Sequence, residues 1–103
     1  MNTPELWKRW KVTEAHLRAA EQSLPSSPPE VAGEYERLHA EFTSFLDHNE
    51  LELALDMLQE LGELVPCRGE FWQDLERSAE SMDLFHRIPY IRKQLELATT
   101  RQS

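Results

Sequence analysis

At 103 residues the chain is long enough for one domain with one modest core. Its 11 basic against 19 acidic side chains, a net charge of −8, disfavour nucleic acid and anionic membrane surfaces as partners, because phosphate contacts require a basic patch. A single cysteine, Cys67, excludes an internal disulfide. The start Met1-Asn2-Thr3-Pro4-Glu5 has no basic region leading into an apolar run, and no apolar stretch approaches a membrane span, so the expected location is the cytoplasm.

Only three glycines and no convincing alternating run argue against strands, whereas the helix signals agree with one another. Thr3-Pro4-Glu5 reads as an N-cap, a proline at the first helical position and an acid in the first turn. Leu6, Trp10, Leu17, Ala20 and Leu24 then share one face. Pro25-Ser26-Ser27-Pro28-Pro29 ends this helix and forms the one clear linker. Ser27 and Glu30 have capping-box spacing for a second helix, whose buried stripe is Val31, Tyr35, Leu38, Phe42 and Phe45, with Leu46 beside it.

Asp47-His48-Asn49 interrupts that pattern, and Asn49 with Glu52 offers a cap for helix three. Leu51, Ala54, Leu55, Leu58 and Leu61 form its main stripe, with Leu53, Met57 and Leu64 on an adjoining face. An apolar arc that wide predicts the central helix, touched from two sides. Gly62 and Val65-Pro66 are expected to stop it. Helix four packs through Phe71, Leu75, Ala79 and Met82, with Trp72 alongside, and Ile88-Pro89 opens a fifth helix carrying Ile91, Leu95 and Ala98. Thr99 to Ser103 are expected to fray. The reading is all-α: one domain over 1–103, a compact bundle of four or five helices at about 4–24, 29–47, 50–63, 70–84 and 89–98.

Charge is distributed unevenly along this frame. Residues 1–29 carry a net of +1 and residues 84–103 a net of +3, whereas residues 30–63 hold ten acids and only Arg37, a net of −9. An ordinary solvated helix face mixes both signs, because like charges at i,i+4 cost a few tenths of a kcal/mol. The acids of helices two and three therefore mark a face for a basic partner, with Glu34, Glu41, Asp47, Glu50, Glu52, Asp56, Glu60 and Glu63 as the partner-binding candidates. Glu52, Asp56 and Glu63 form a line of about 16 Å on helix three. Trp7 lies off the buried stripe of helix one, either as an interface residue or as cover for a small core, while Trp10 and Trp72 read as core or core edge.

Catalysis and metal binding find little to build on. Glu36-Arg37-Leu38-His39 has the Glu-x-x-His spacing of di-iron bundles, but such a site needs a second copy and two more inward carboxylates. Asp83-Leu84-Phe85-His86, the other candidate, lies at a helix end. His16 and His48 read as surface or helix-end residues. Arg68 beside Cys67 is expected to lower the thiol pKa, yet no cysteine–histidine motif accompanies it. With no phosphate-cradling loop, nucleophile elbow or zinc-ligand pair, the expectation is a protein with no enzymatic activity and no cofactor.

The stretch Phe45-Leu46-Asp47-His48-Asn49-Glu50-Leu51-Glu52-Leu53-Ala54-Leu55-Asp56 continues through Leu61-Gly62, Phe71-Trp72, Leu75, Ala79 and Met82. It resembles small bacterial immunity proteins, in which a bulky pair is followed by Asn-Glu-Leu and Ala-Leu-Asp. These proteins accompany polymorphic toxins, including contact-dependent growth inhibition systems. The likeness spans residues 45–82 and leaves out the first helix and the tail. It implies a helical protein that neutralises one cognate toxin domain, often a nuclease with a basic site, and it carries no catalytic residues. The acidic segment agrees with that role independently. The expectation is thus a cytoplasmic immunity protein, monomeric in isolation, that occludes a basic toxin through helices two and three. The alternative is a small helical adaptor, antitoxin or regulator of another bacterial protein.

Overall fold

The computed structural model describes residues 3–102, with side chains from 7 to 101. Five α-helices follow one another: α1 (Thr3–Gln22), α2 (Ala32–Asp47), α3 (Leu51–Leu64), α4 (Gly69–Ser81) and α5 (Ile88–Gln102). Single 3-10 turns, Pro29–Val31 and Phe85–Arg87, lead into α2 and α5. No strand occurs among the described residues. The chain is an all-α bundle, as the apolar spacing predicts.

α2 and α3 pack along each other as a hairpin, α1 lies against α4, and α4 against α5, while α3 also touches α1 and α4. These contacts with α2, α1 and α4 account for the wide apolar arc of α3, although the most widely packed helix is α4, between α1 and α5, and not α3 as expected. Leu51, Ala54, Leu55, Leu58 and Leu61 are buried, and Leu53 on the flank is 41% exposed. Leu38, Phe42 and Leu46 meet them from α2, Leu17 and Ala20 from α1, and Phe71, Trp72, Leu75 and Ala79 from α4. Val31, Tyr35 and Phe45 are only partly buried, so the core stripe of α2 is narrower than the predicted one.

Two helices end without glycine. Asn49 has φ 57° and Asp83 φ 59°, and each follows a helix C-terminus. The Glu50 amide donates to Phe45 O at 2.8 Å and the Asn49 amide to Leu46 O at 3.1 Å. Leu84 and Asp83 do the same to Ala79 O at 2.8 Å and Glu80 O at 3.1 Å. Both are Schellman closures, in which a short polar side chain tolerates the left-handed backbone. Asn49 therefore terminates α2 and does not cap α3, whose N-cap is Glu50 with no side-chain hydrogen bond.

Other local expectations are corrected in the same way. The Ser27 hydroxyl donates to Pro28 O at 2.9 Å, so no capping box forms and residues 29–31 make a 3-10 turn before α2 begins. α1 stops at Gln22, two residues short of the predicted end, with the Ser23 and Leu24 amides turning back to Ala20 O and Glu21 O. α4 ends at Ser81, three residues early, at the Asp83 closure. α5 runs on to Gln102 because Ala98 is buried and Thr99 and Thr100 donate their hydroxyls to Leu95 O and Glu96 O. Gly62 lies inside α3, not at its end. The Thr3 cap, the Glu5 first-turn acid and the Leu6 stripe position concern side chains outside the described set.

Candidate functional site

The acids of 30–63 come together on the α2–α3 hairpin because α3 turns its apolar arc inward and leaves the opposite arc to solvent. Near the α2 N-terminus, Glu34, Glu60 and Glu63 line a shallow groove of about 220 Å³ over Leu38 and Leu64. Beside the groove stands Arg37, whose Nε donates to Glu34 Oε1 at 2.6 Å and whose Nη1 donates to Glu41 Oε2 at 2.8 Å. The Arg37 hydrogen bond draws the Glu34 carboxyl below its ordinary range. Arg37 is in turn held charged by Glu34 first, and then by the fields of Glu34, Glu41 and Glu60.

The eight candidate side chains thus divide into two groups. Glu34 and Glu41 share Arg37. Asp56 is bound by Arg87 at 2.6 Å, and Arg87 also donates to Gln59 Oε1 at 2.9 Å. Glu63 Oε2 accepts the Tyr90 hydroxyl at 2.5 Å and an N–H of Gln59 at 3.4 Å. By contrast, no hydrogen bond or ion pair among the described residues engages the side chains of Asp47, Glu50, Glu52 or Glu60. The line read along α3 is therefore interrupted: α5 and the turn before it neutralise Asp56 and occupy Glu63. Sequence spacing could not show this, because Arg87 and Tyr90 lie about thirty residues away; the only signal was the net +3 of the tail.

The remaining candidate chemistry takes other shapes. His39 Nε2 is 2.6 Å from Glu21 Oε2, so it links α2 to α1 and does not pair with Glu36 in a ligand set. Among the described residues no three His, Cys, Asp or Glu side chains gather as metal ligands would. His48 Nδ1 donates to Ser44 O at 2.7 Å at the end of α2. Cys67 is buried and donates to Val65 O, and burial pushes its thiol up to about 11, opposite to the lowering expected from Arg68. Arg68 instead reaches toward Glu70 at 3.9 Å, while Arg101 from α5 offsets part of the burial effect on the thiol.

Trp72 is buried, edge-on to Phe71 at 5.2 Å between ring centres. Trp10, expected in the core or at its edge, is 42% exposed. The α1–α4 seam is filled instead by Thr13, whose hydroxyl bonds the Ser81 hydroxyl. Beside it Arg9 donates to Ser81 O at 2.7 Å and pairs with Asp83. No helix among the described residues is long and apolar enough to cross a membrane. Comparison of the chain with family models, with characterised proteins and with solved structures finds no match.

Proposed function

We propose that this chain is a binding protein that neutralises a basic protein partner, acting as the immunity protein of a bacterial toxin domain in the cytoplasm. The observation that carries the reading is the unbalanced charge of the α2–α3 hairpin. Asp47, Glu50, Glu52 and Glu60 carry no ion pair among the described residues, and Arg37 is the only lysine or arginine of segment 30–63. Such a surface raises the local concentration of cationic partners and speeds their docking, at the cost of self-repulsion in the free protein. A rigid helical hairpin presents these charges with little ordering left to be done on binding. The likeness of residues 45–82 to immunity proteins supports the same reading from a different direction. Inhibition follows from occlusion alone: a nuclease whose basic cleft is covered by carboxylates cannot hold its substrate's phosphates.

The test uses the product of the gene directly upstream, expressed as its toxin domain, and surface-based binding kinetics at several salt concentrations. Association should slow by roughly tenfold in the Glu52→Lys, Glu60→Lys double variant and depend less on salt, since exposed charges act mainly on the on-rate. Lys8→Glu on α1 should leave the rate unchanged. Full binding by the double variant, or no binding by the parent chain, removes this function.

A further inference from the structure

Two of the three tryptophans stand outside the core at one end of the molecule, with Trp7 56% and Trp10 42% exposed. Large aromatic side chains left in water are the residues that most often anchor interfaces. They border two adjoining hollows beside the α2–α3 turn. The larger, of about 350 Å³, is lined by Trp10, Leu51, Met82 and Leu84 together with Arg9 and Glu52. The smaller, of about 260 Å³, lies between Trp7, Trp10, Lys11, Glu14 and Asn49. The larger is near the low end of the ~300–1,000 Å³ typical of ligand pockets and suits a projecting side chain. Met82 is unbranched and soft, so this lining can adjust to the shape inserted.

The charge around this notch specifies the occupant. Arg9 is neutralised by Asp83, and the Lys11 ammonium lies over the Trp7 ring, 5.3 Å from its centre. Lys8 is carried roughly 200° around α1 from Trp10, away from the opening. Glu52 lines the notch, and Asp47 and Glu50 are exposed in and beside the turn next to it. The mouth therefore carries more acids than bases, the apolar wall made by Trp10, Leu51, Met82 and Leu84 stands opposite polar groups that include Thr13, Asn49 and Ser81, and Glu52 belongs both to the notch and to the acidic face of α3.

We propose that the notch receives one apolar or aromatic side chain from the basic partner, presented on a segment whose flanking lysines or arginines meet Glu52, Glu50 and Asp47. This rests on the preceding reading for the partner's charge and adds to it the anchor that fixes position. Charge brings the partner to the hairpin, and the tryptophan-edged notch then slows its departure.

The probes are three blocked peptides: lysines flanking a central leucine, lysines flanking a central alanine, and glutamates flanking a central leucine. Titration calorimetry gives affinity, and tryptophan emission reports the site, since Trp72 is buried and only Trp7 and Trp10 face solvent. The lysine–leucine peptide should bind at least about tenfold more tightly than the alanine peptide and shift the emission to the blue. That preference should disappear in Trp10→Ala and shrink in Trp7→Ala, two variants at exposed positions whose melting should match the parent. Equal binding of the leucine and alanine peptides, both weakened by Glu60→Lys, overturns the notch and leaves the acidic-face reading standing. Tighter binding of the glutamate peptide overturns both. Absence of binding by every lysine peptide also overturns the proposal.

Discussion

Gly62 faces the indole of Trp72 so closely that a β-carbon there would stand 2.6 Å from Trp72 Cζ2 and 2.7 Å from Phe71 Cε2. Both rings are buried and packed edge-on, so neither can swing away into solvent. Gly62→Ala should therefore destabilise the fold. Overpacking costs about 1–3 kcal/mol, against a gain of roughly 1 kcal/mol from helix propensity. A net loss of about 1 kcal/mol would lower the melting temperature of a domain this size by roughly 4–8 °C. An unchanged or raised melting temperature would show that the α3–α4 seam yields.

Leu58 and Leu53 are five residues apart on α3 and should behave differently. Leu58 is fully buried, and Leu58→Ala should cost about 2–5 kcal/mol through lost burial and the cavity left behind. Leu53, at 41% exposed, should lose no more than roughly 0.5 kcal/mol on the same change. Urea unfolding of the two variants checks this, and similar midpoints would mean that the buried face of α3 is misassigned.

Asp56 and Glu60 were equivalent on the sequence, both on the polar side of helix three. In the fold Asp56 holds the guanidinium of Arg87, whose side chain is only 14% exposed. Asp56→Lys places a second cation beside it and should cost on the order of 1–3 kcal/mol. Asp56→Asn, which can still accept a hydrogen bond, should cost less. Glu60→Lys should shift stability by no more than roughly 0.5 kcal/mol. If denaturation midpoints place Asp56→Lys level with Glu60→Lys, the Arg87 pair does not bear on stability.

Two side chains should make the fold sensitive to alkali. Burial raises the Cys67 thiol from 9.0 to about 11. Burial, with the hydrogen bond to Glu63 and that carboxylate's charge, raises Tyr90 from 10.0 to about 12. Both groups are neutral when protonated, and the folded state holds that proton more firmly than the unfolded chain. Their contribution is complete below pH 9 and is lost as pH climbs through about 11 and about 12. Urea midpoints should fall over that window, and Cys67→Ala should make the early part of the fall shallower. A thiol reagent at pH 8 should label the folded protein far more slowly than the urea-unfolded one; equal rates would contradict the burial of Cys67.

Much of the candidate site's layout was legible because it depends on local spacing. Leu51, Leu55 and Leu58 recur at helical intervals, so the acids between them had to share the opposite arc of α3. The partition of those acids was not legible. Nothing near Asp56 or Glu63 in the chain announces Arg87 or Tyr90, since an ion pair between distant residues needs a path of the backbone that spacing does not encode. How far Trp10 stays in water was not legible for a related reason. It lies on the edge of the α1 stripe, and whether an edge residue is covered depends on where α4 ends and the α2–α3 turn passes.

The amino-acid order by itself determined the helical class, the wide apolar arc of α3 and the concentration of negative charge on one hairpin. These follow from periodicity and composition, which act within a few turns of a helix. The tertiary structure decided which carboxylates remain unpaired, which tryptophans stay in water, and that Gly62 serves the approach of two helices and does not end one. Those outcomes depend on which side chains from distant elements reach a given point, and burial and pairing energies arise only once they meet.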